Sequence, residues 1–377
     1  MVFDQSSEER RRRRAWNRAV HAARTAVDPV VVFEDAVPEL AETLGFDVWA
    51  GVLLDPVTLL NTGGTFRHGV SAAWMPRMLD IEYREGDVLQ MPALARQATP
   101  VGSLASSLGG LLERSVRYRD IYRPLGLGDE IRVLLKDAGR VWGALVLVRD
   151  AHRPPFSASD MAFVAGLSQP LGRALRRSLA VPGKSLGKSL GNALGAGESA
   201  LVLLDEEYTL LSASAAAESW FTELAEAPAR GKGLPASAYS VAAATLRSGS
   251  GGSRACVPMR AGGWAAIEGW RLETGEGLKL ALTISPASPP DQATSLLRAY
   301  GLTPRETDVL VHVLRGASTG EISARLAVSP YTVQDHLKSV FDKTGTHSRR
   351  ELVGQVFFQH YLPEVDSLGP DRQPGSG

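Results

Sequence analysis

Apolar residues change their period several times along the first half of the chain, and each change marks an element. In "FEDAVPELAETLG" (33–45) they recur at helical spacing and stop at a glycine suited to a C-cap, whereas "FDVWAGVLLDP" (46–56) reads as a strand running into a turn. "EIRVLLKDAGRVWGALVLVRD" (130–150) is the strongest hairpin pattern, two runs of β-formers joined at 136–140 around Gly139. "FSASDMAFVAGLSQPLGRALRRSL" (156–179) follows as an amphipathic helix with Ser157 or Ser159 as N-cap. Further on, "SALVLLDEEYTLLSASAAAESWF" reads as strand, turn, strand and short helix, and "ACVPMR", "WAAIEGWRLE" and "LKLALTISP" read as successive strands.

The last 80 residues return to helical spacing and are punctuated by caps. "TPRE" offers Thr303 as N-cap, Pro304 at N1 and Glu306 at N3; "STGE" (318–321) and "SRRE" (348–351) repeat the capping box, and "SPYT" (329–332) keeps the cap and its proline. Four short helices are expected, with apolar faces from Val309, Leu310, Val313 and Leu314, then Ile322 and Leu326, then Val333, Leu337, Val340 and Phe341, and last Leu352, Val353, Val356 and Phe357. Only "AVSP" separates the second helix from the third, so the two must cross steeply, and this helix-turn-helix geometry presents the third helix to a major groove.

Breaks in composition set the boundaries. The Gly- and Ser-rich run at 181–199 reads as a flexible linker, the proline-rich "SPASPPDQ" (285–292) excludes a helix or central strand, and the tail from 363 has little to bury. The expected organisation is an N-terminal helix (1–27), a mixed α+β segment (28–180), a linker (181–197), a second α+β segment (198–285), an all-α segment (294–362) and a disordered tail (363–377).

Three resemblances follow from these residues. The layout of the first segment, including the "PPFSASD" step into its last helix, resembles a GAF domain, and the second segment resembles a small PAS-like domain. The run "GLTPRETDVLVHVLRGASTGEISARLAVSPYTVQDHLKSVFDKTGTHSRRELV" looks like the DNA-binding domain of LuxR-type transcriptional regulators, from "LTPRE" through the "EIS", "TV" and "DH" positions to "SRREL". Taken together, the chain resembles the large actinobacterial regulators of this type. The resemblance implies a four-helix domain that dimerises partly through its last helix.

Rotation of the third helix at about 100° per residue centres its buried face between Val333 and Leu337. The opposite face is then Tyr331, Asp335, Lys338, Ser339 and Asp342, with Gln334 on one flank and His336 and Lys343 on the other. The resemblance places base reading on Gln334, Asp335 and Lys338, and Ser339 shares that face. Gln pairs with adenine, Asp accepts from the cytosine amino group, and Lys donates to guanine. Ser318, Thr319, Tyr331, Thr332, His336 and Lys343 are expected at phosphates. Many family members carry Lys where Gln334 and Gly320 stand and Asn where Thr319 stands, which lowers the expected non-specific affinity.

Charge sharpens that point. The 377 residues hold 41 Lys or Arg against 41 Asp or Glu, so no bulk field draws the molecule to nucleic acid. Between 296 and 362 eight basic residues face six acidic ones, a net of +2. Tight binding to double-stranded DNA therefore calls for a homodimer or a close sequence fit. The single cysteine, Cys256, excludes an internal disulfide or a cysteine-built zinc site, and inert burial is its expected role. Asp205 reads as a turn residue rather than a phosphoacceptor. The run Arg10 to Arg14 invites a DNA-arm reading, but it leads into a helical pattern through Trp16, Val20 and Ala23 that suits a dimer contact.

No signal peptide and no apolar run of about 18 residues is present, so a cytoplasmic, membrane-free location is expected. No phosphate-binding loop, nucleophile elbow or metal-ligand spacing appears, so neither an enzyme nor a cofactor is called for. Trp74, Met75, Tyr83 and Met91 are candidates for a ligand pocket in the GAF-like segment, the plainer alternative being core packing. The expected function is a sequence-specific transcriptional regulator whose first two domains gate the helix-turn-helix in response to an unknown small-molecule or protein effector. The rival reading is a dimeric adaptor that keeps the helical module for protein contacts, with Asp335 and Asp342 as its motive.

Overall fold

The computed structural model describes residues 2–68, 71–180, 199–226, 233–249, 251–260, 263–275, 277–288, 291, 295 and 299–360, with the side chains of 2–6, 67–68, 72 and 355–360 left aside. The expected linker and C-terminal tail fall outside them, apart from Ser199.

Helix α1 (Val2–Thr25) leads into α2 (Pro29–Ala36), where Asp28 caps by accepting from the Val30 amide at 2.7 Å and Pro29 sits at N1. After α3 (Ala41–Leu44) the chain turns at Gly45 in the left-handed region and enters β1 (Val48–Leu54) and β2 (Asn61–His68). The middle is a string of short helices: α4 (Met75–Asp80), a π-helical turn at Ile81–Glu85, α5 (Met91–Ala95), strand β3 (Val101–Ser103) and α6 (Leu104–Ser107). Strands β4 (Leu127–Asp137) and β5 (Arg140–Asp150) form the expected hairpin. Its connection is Ala138 and Gly139, both at positive φ, the two-residue turn that matches strand twist.

These strands make one antiparallel sheet in the order β2-β1-β5-β4-β3. Both faces are covered, which is why β4 and β5 read as nearly continuous apolar runs. Leu145 and Leu147 pack towards α1, α2 and α7 (Ala158–Ala180), whereas Ala144, Val146 and Val148 pack under the short-helix layer. Gly172 lets α7 lie against β4, since a Cβ there would stand 2.6 Å from the Lys136 carbonyl oxygen. Helix α1 belongs to this core: Ala15, Ala19 and Ala23 are fully buried, and Arg12 donates to Asp160 at 2.8 Å and to the Ser159 carbonyl. The arginine run is thus anchored at Arg12 on the domain's own last helix.

A second antiparallel sheet has the order β7-β6-β10-β9-β8, built from β6 (Ala200–Leu204), β7 (Leu210–Ala213), β8 (Ser253–Pro258), β9 (Trp264–Thr274) and β10 (Gly277–Pro286). Helices α8 (Ala217–Glu223) and α9 (Ala236–Arg247) cover its buried face. Asp205 sits in the β6–β7 turn and accepts from the Glu207 and Thr209 amides. The core of this unit also contains Leu60, Leu79 and Tyr83 of the first unit. The Tyr208 hydroxyl donates to Asp80 at 2.6 Å, the Ser240 hydroxyl donates to the Asn61 carbonyl at 2.7 Å, and the Gly64 amide donates to the Ala225 carbonyl. The run expected as a flexible linker thus connects two α+β units that share a core.

The C-terminal helices are α10 (Pro304–Leu314), α11 (Thr319–Leu326), α12 (Pro330–Thr344) and α13 (Arg349–His360). Val309, Leu310, Val313, Ile322, Val333, Leu337, Val340 and Leu352 form their core; Val356 and Phe357 lie outside the described side chains. The boxes at Thr303/Glu306 and Ser318/Glu321 close in both directions. At the fourth start Ser348 caps the Glu351 amide, but Glu351 reaches back to the amide of His347 instead of Ser348.

Candidate nucleic-acid interface

The surface of α12 is fixed by its caps and its neighbours. Ser329 accepts from the Thr332 amide at 3.0 Å, Pro330 fills N1, and the preceding turn places Ala327 in the left-handed region with φ 53°. With Val333, Leu337 and Val340 buried, the helix shows Tyr331, Gln334, Asp335, Lys338 and Asp342 to solvent. Among the described residues the side chains of Gln334, Asp335 and Lys338 make no hydrogen bond or ion pair, so their full donor and acceptor capacity faces outward. Tyr331 is 73% exposed, the most of any large hydrophobic among the described residues of the domain.

Two expected contact residues are engaged elsewhere. Ser339 donates to Glu306 Oε1 at 2.7 Å, and Lys343 Nζ lies 2.8 and 2.6 Å from the two carboxylate oxygens of Glu306. Glu306 also accepts from the Thr303 amide at 2.7 Å. Burial alone would raise this carboxyl, yet Lys343, Ser339 and Thr303 together hold it down at about 2. Glu306 thus closes the α10 cap and ties α12 to α10, and it neutralises the Lys343 charge. No signal in the sequence beyond the capping box marked it.

Of the other expected phosphate contacts, Ser318 and Thr332 spend their hydroxyls on the caps of α11 and α12, while Thr319 and His336 are half-buried. The backbone amides at the start of α11 remain beside them, an arrangement suited to an anion.

The first unit holds a second candidate site. An apolar cleft lies between β1, β5 and the Met75–Tyr83 stretch. Met75, Tyr83 and Met91 line it together with Trp49, Phe66, Met78 and Val146, whereas Trp74 is not in its wall and packs partly against the core beneath the short helices. Glu82, Tyr122 and Arg132 close one end. Behind them Arg132 NH1 pairs with Glu82 at 2.6 Å, its Nε pairs with Glu130, Arg117 lies 3.4 Å from both carboxylates, and the Tyr122 hydroxyl donates to Glu130. Burial opposes the charge on Glu130, but the two guanidiniums keep its carboxyl below the usual range. Sequence reading passed over this cluster. Its signal was the pair Glu130 and Arg132, two charges on one face of a strand whose middle, 130–135, is otherwise apolar.

Comparison with known proteins agrees with this layout. Residues 301–356 match the model for bacterial regulatory proteins of the luxR family, and residues 28–175 match that for the GAF domain. The chain therefore joins an N-terminal GAF domain to a C-terminal LuxR-family helix-turn-helix domain. A stretch of 60 residues is 49% identical to a protein of Mycobacterium tuberculosis (strain ATCC 25618 / H37Rv) described as an HTH-type transcriptional regulator, covering 16% of this chain and 7% of that one. A stretch of 62 residues is 45% identical to a response regulator of Synechocystis sp. (strain ATCC 27184 / PCC 6803 / Kazusa), covering 16% of this chain and 26% of that one. The chain thus spans well under a third of either relative. Among solved structures, the Vibrio cholera VqmA–ligand–DNA complex aligns at 15% identity over 48% of this chain and 89% of its own, with a TM-score of 0.24. The Escherichia coli DhaR(N)–DhaL complex aligns at 13% identity over 75% and 89%, also with a TM-score of 0.24. Neither likeness is close enough to bear on function. No helix among the described residues is long and apolar enough to cross a membrane, and no group of three or more His, Cys, Asp or Glu there is arranged to hold a metal ion.

Proposed function

We propose that the protein is a sequence-specific, DNA-binding transcriptional regulator that acts as a homodimer, with α12 as its recognition helix. The observation that carries this reading is the unspent row Gln334, Asp335 and Lys338 on the exposed face of a helix locked at both ends by its caps. Gln334, Asp335 and Lys338 read bases, Ser318, Thr319, Tyr331, Thr332 and His336 meet the backbone, and the small local charge makes binding depend on two copies. Ser339 and Lys343 serve the fit of α12 to α10 instead of the DNA. The second α+β unit is PAS-like: its sheet repeats the strand order of the GAF sheet, and its helices lie on one face. The two sensory units gate the helix-turn-helix, and the GAF cleft receives the effector. A cytoplasmic location fits this role.

The exposed acids Asp335 and Asp342 favour one rival, a dimeric adaptor without affinity for DNA. Mobility-shift assays on the DNA upstream of the gene, run from low to high salt, separate the two. A shift that weakens with salt and survives random competitor supports the regulator. A folded dimer that shifts no DNA at low salt overturns it.

A further inference from the structure

The GAF cleft has a chemistry of its own, and the inference rests on the reading above that it receives an effector. Its walls are apolar, and its closed end carries two positive and two negative groups that neutralise one another: Arg117 and Arg132 with Glu82 and Glu130. All four are at most 6% exposed. An ion entering this space would bring an unpaired charge into a balanced, dry environment, which is costly.

Two donors along the cleft are unspent, one on β4 at the charged end and one on β2, three strands away in the sheet. Arg132 uses Nε on Glu130 and NH1 on Glu82 and the Leu89 carbonyl, but its NH2 makes no hydrogen bond among the described residues. Asn61, 2% exposed, spends its side-chain oxygen on the Gly63 amide, while its amide nitrogen makes none. Both residues line the cleft. Neither nitrogen is among the sealed, partnerless polar atoms, which among the described residues are Arg117 Nε and His312 Nδ1. These donors therefore open onto the cleft. Every acceptor on Glu82 that faces the same end is occupied by the Met91 amide or by guanidinium.

We infer that the cleft binds a neutral, largely apolar small molecule bearing a hydrogen-bond acceptor, such as a carbonyl oxygen or a ring nitrogen, which accepts from Arg132 NH2 at the charge-balanced end. Asn61 also offers its backbone carbonyl to Ser240 of the second unit, and the Tyr83 hydroxyl donates to the Leu59 carbonyl and accepts from the Asn61 backbone N–H. A ligand that fills the cleft therefore reaches the strand on which the second unit rests.

The test uses the full chain and three probes of similar size: acetophenone (neutral, one acceptor), benzoate (the anion) and ethylbenzene (no acceptor). Binding is read by calorimetry and by the fluorescence of Trp49, which lines the cleft. Acetophenone is expected to bind roughly fivefold more tightly than ethylbenzene, the worth of one hydrogen bond, and at least roughly tenfold more tightly than benzoate because of the buried charge. Arg132→Lys should erase the preference over ethylbenzene, and Met78→Trp, which adds a bulky ring to the cleft wall, should abolish binding of all three. Preferred binding of benzoate, equal binding of ethylbenzene, or no binding of any probe to the folded chain overturns the assignment. A bound probe that leaves DNA affinity unchanged overturns the sensing reading alone, whereas benzoate that binds best and shifts DNA affinity overturns the ligand class and leaves sensing intact.

Discussion

Glu306→Gln isolates the tie between the first and third helices of the DNA-binding domain. The carboxylate is 6% exposed and bonded to Thr303, Ser339 and Lys343, with its pKa held near 2. That lies about two units below the ordinary glutamate value near 4.3, and each unit corresponds to roughly 1.4 kcal/mol. Because the folded pKa is depressed, the stabilisation is fully present above pH ~4.3 and is lost as pH falls through 2. The full shift gives about 3 kcal/mol; Lys343 is one-third exposed, so solvent screening brings the expected value nearer 2. In urea unfolding of residues 294–362 followed by circular dichroism, Glu306→Gln should lose about 2 kcal/mol at pH 7. It should also lose the part of the acid sensitivity between pH 5 and 2 that the parent fragment shows. Glutamine keeps the size and can still accept from Thr303, so the cap survives. A variant as stable as the parent at pH 7, or one with the same acid profile, would show that the ion pair contributes nothing to the placement of α12.

The same geometry separates two lysines: Lys338→Ala should cost about 1 to 3 kcal/mol at one base position in binding to mutated half-sites, with little change on random DNA. Lys343→Ala should lower stability and leave the salt slope of DNA binding nearly unchanged, because its charge is already spent on Glu306; a slope flattened by about one unit would return it to the phosphates. Ala327→Gly relieves a left-handed alanine in the turn before α12 and should stabilise the domain by about 1 kcal/mol in urea unfolding. Tyr208→Phe removes the hydroxyl that reaches Asp80 across the two α+β units and should lower the thermal midpoint, equivalent to about 1 kcal/mol, with an unchanged midpoint refuting that contact.

Elements with local signals were legible in advance. The caps of α10, α11 and α12 are written in three or four consecutive residues each, and the β4–β5 hairpin announces itself by two apolar runs around one glycine. The exposed face of α12 follows from helical periodicity alone. What stayed hidden depends on partners far apart in sequence. Ser339 and Lys343 share an outward arc with Lys338 on a helical wheel, and only the packing of α10, more than 30 residues away, turns them to Glu306. The cluster at the end of the GAF cleft joins Glu130 and Arg132 of β4 to Arg117, Tyr122 and the distant Glu82, so no short window of the sequence contains it. Trp74 was a reasonable pocket candidate by type, but it lies one residue ahead of the helix that forms the wall.

The joint core changes what gating means for this chain. Two α+β units connected only by a flexible linker would signal by swinging apart. Here Leu60, Leu79 and Tyr83 are packed among residues of the second unit, and Gly63 and Gly64 bring β2 so close to Ala225 that a Cβ on Gly63 would stand 2.6 Å from its carbonyl oxygen. A swing would expose that shared surface and break the bonds of Tyr208 and Ser240 at once. The cheaper response is a change of packing within the joint, and the Met75–Glu85 stretch is placed for it, since it forms a wall of the cleft on one side and meets Tyr208 on the other. The helix-turn-helix is held in turn by Arg176, which pairs with Asp137 at 2.7 Å and donates to the Ala299 carbonyl at 2.8 Å. Because α7 also packs along β4, a shift in the GAF sheet reaches Arg176 through contacts already made. Under the proposed function an effector would act by favouring one packing of the two α+β units, to the extent that it binds the two arrangements with different affinity.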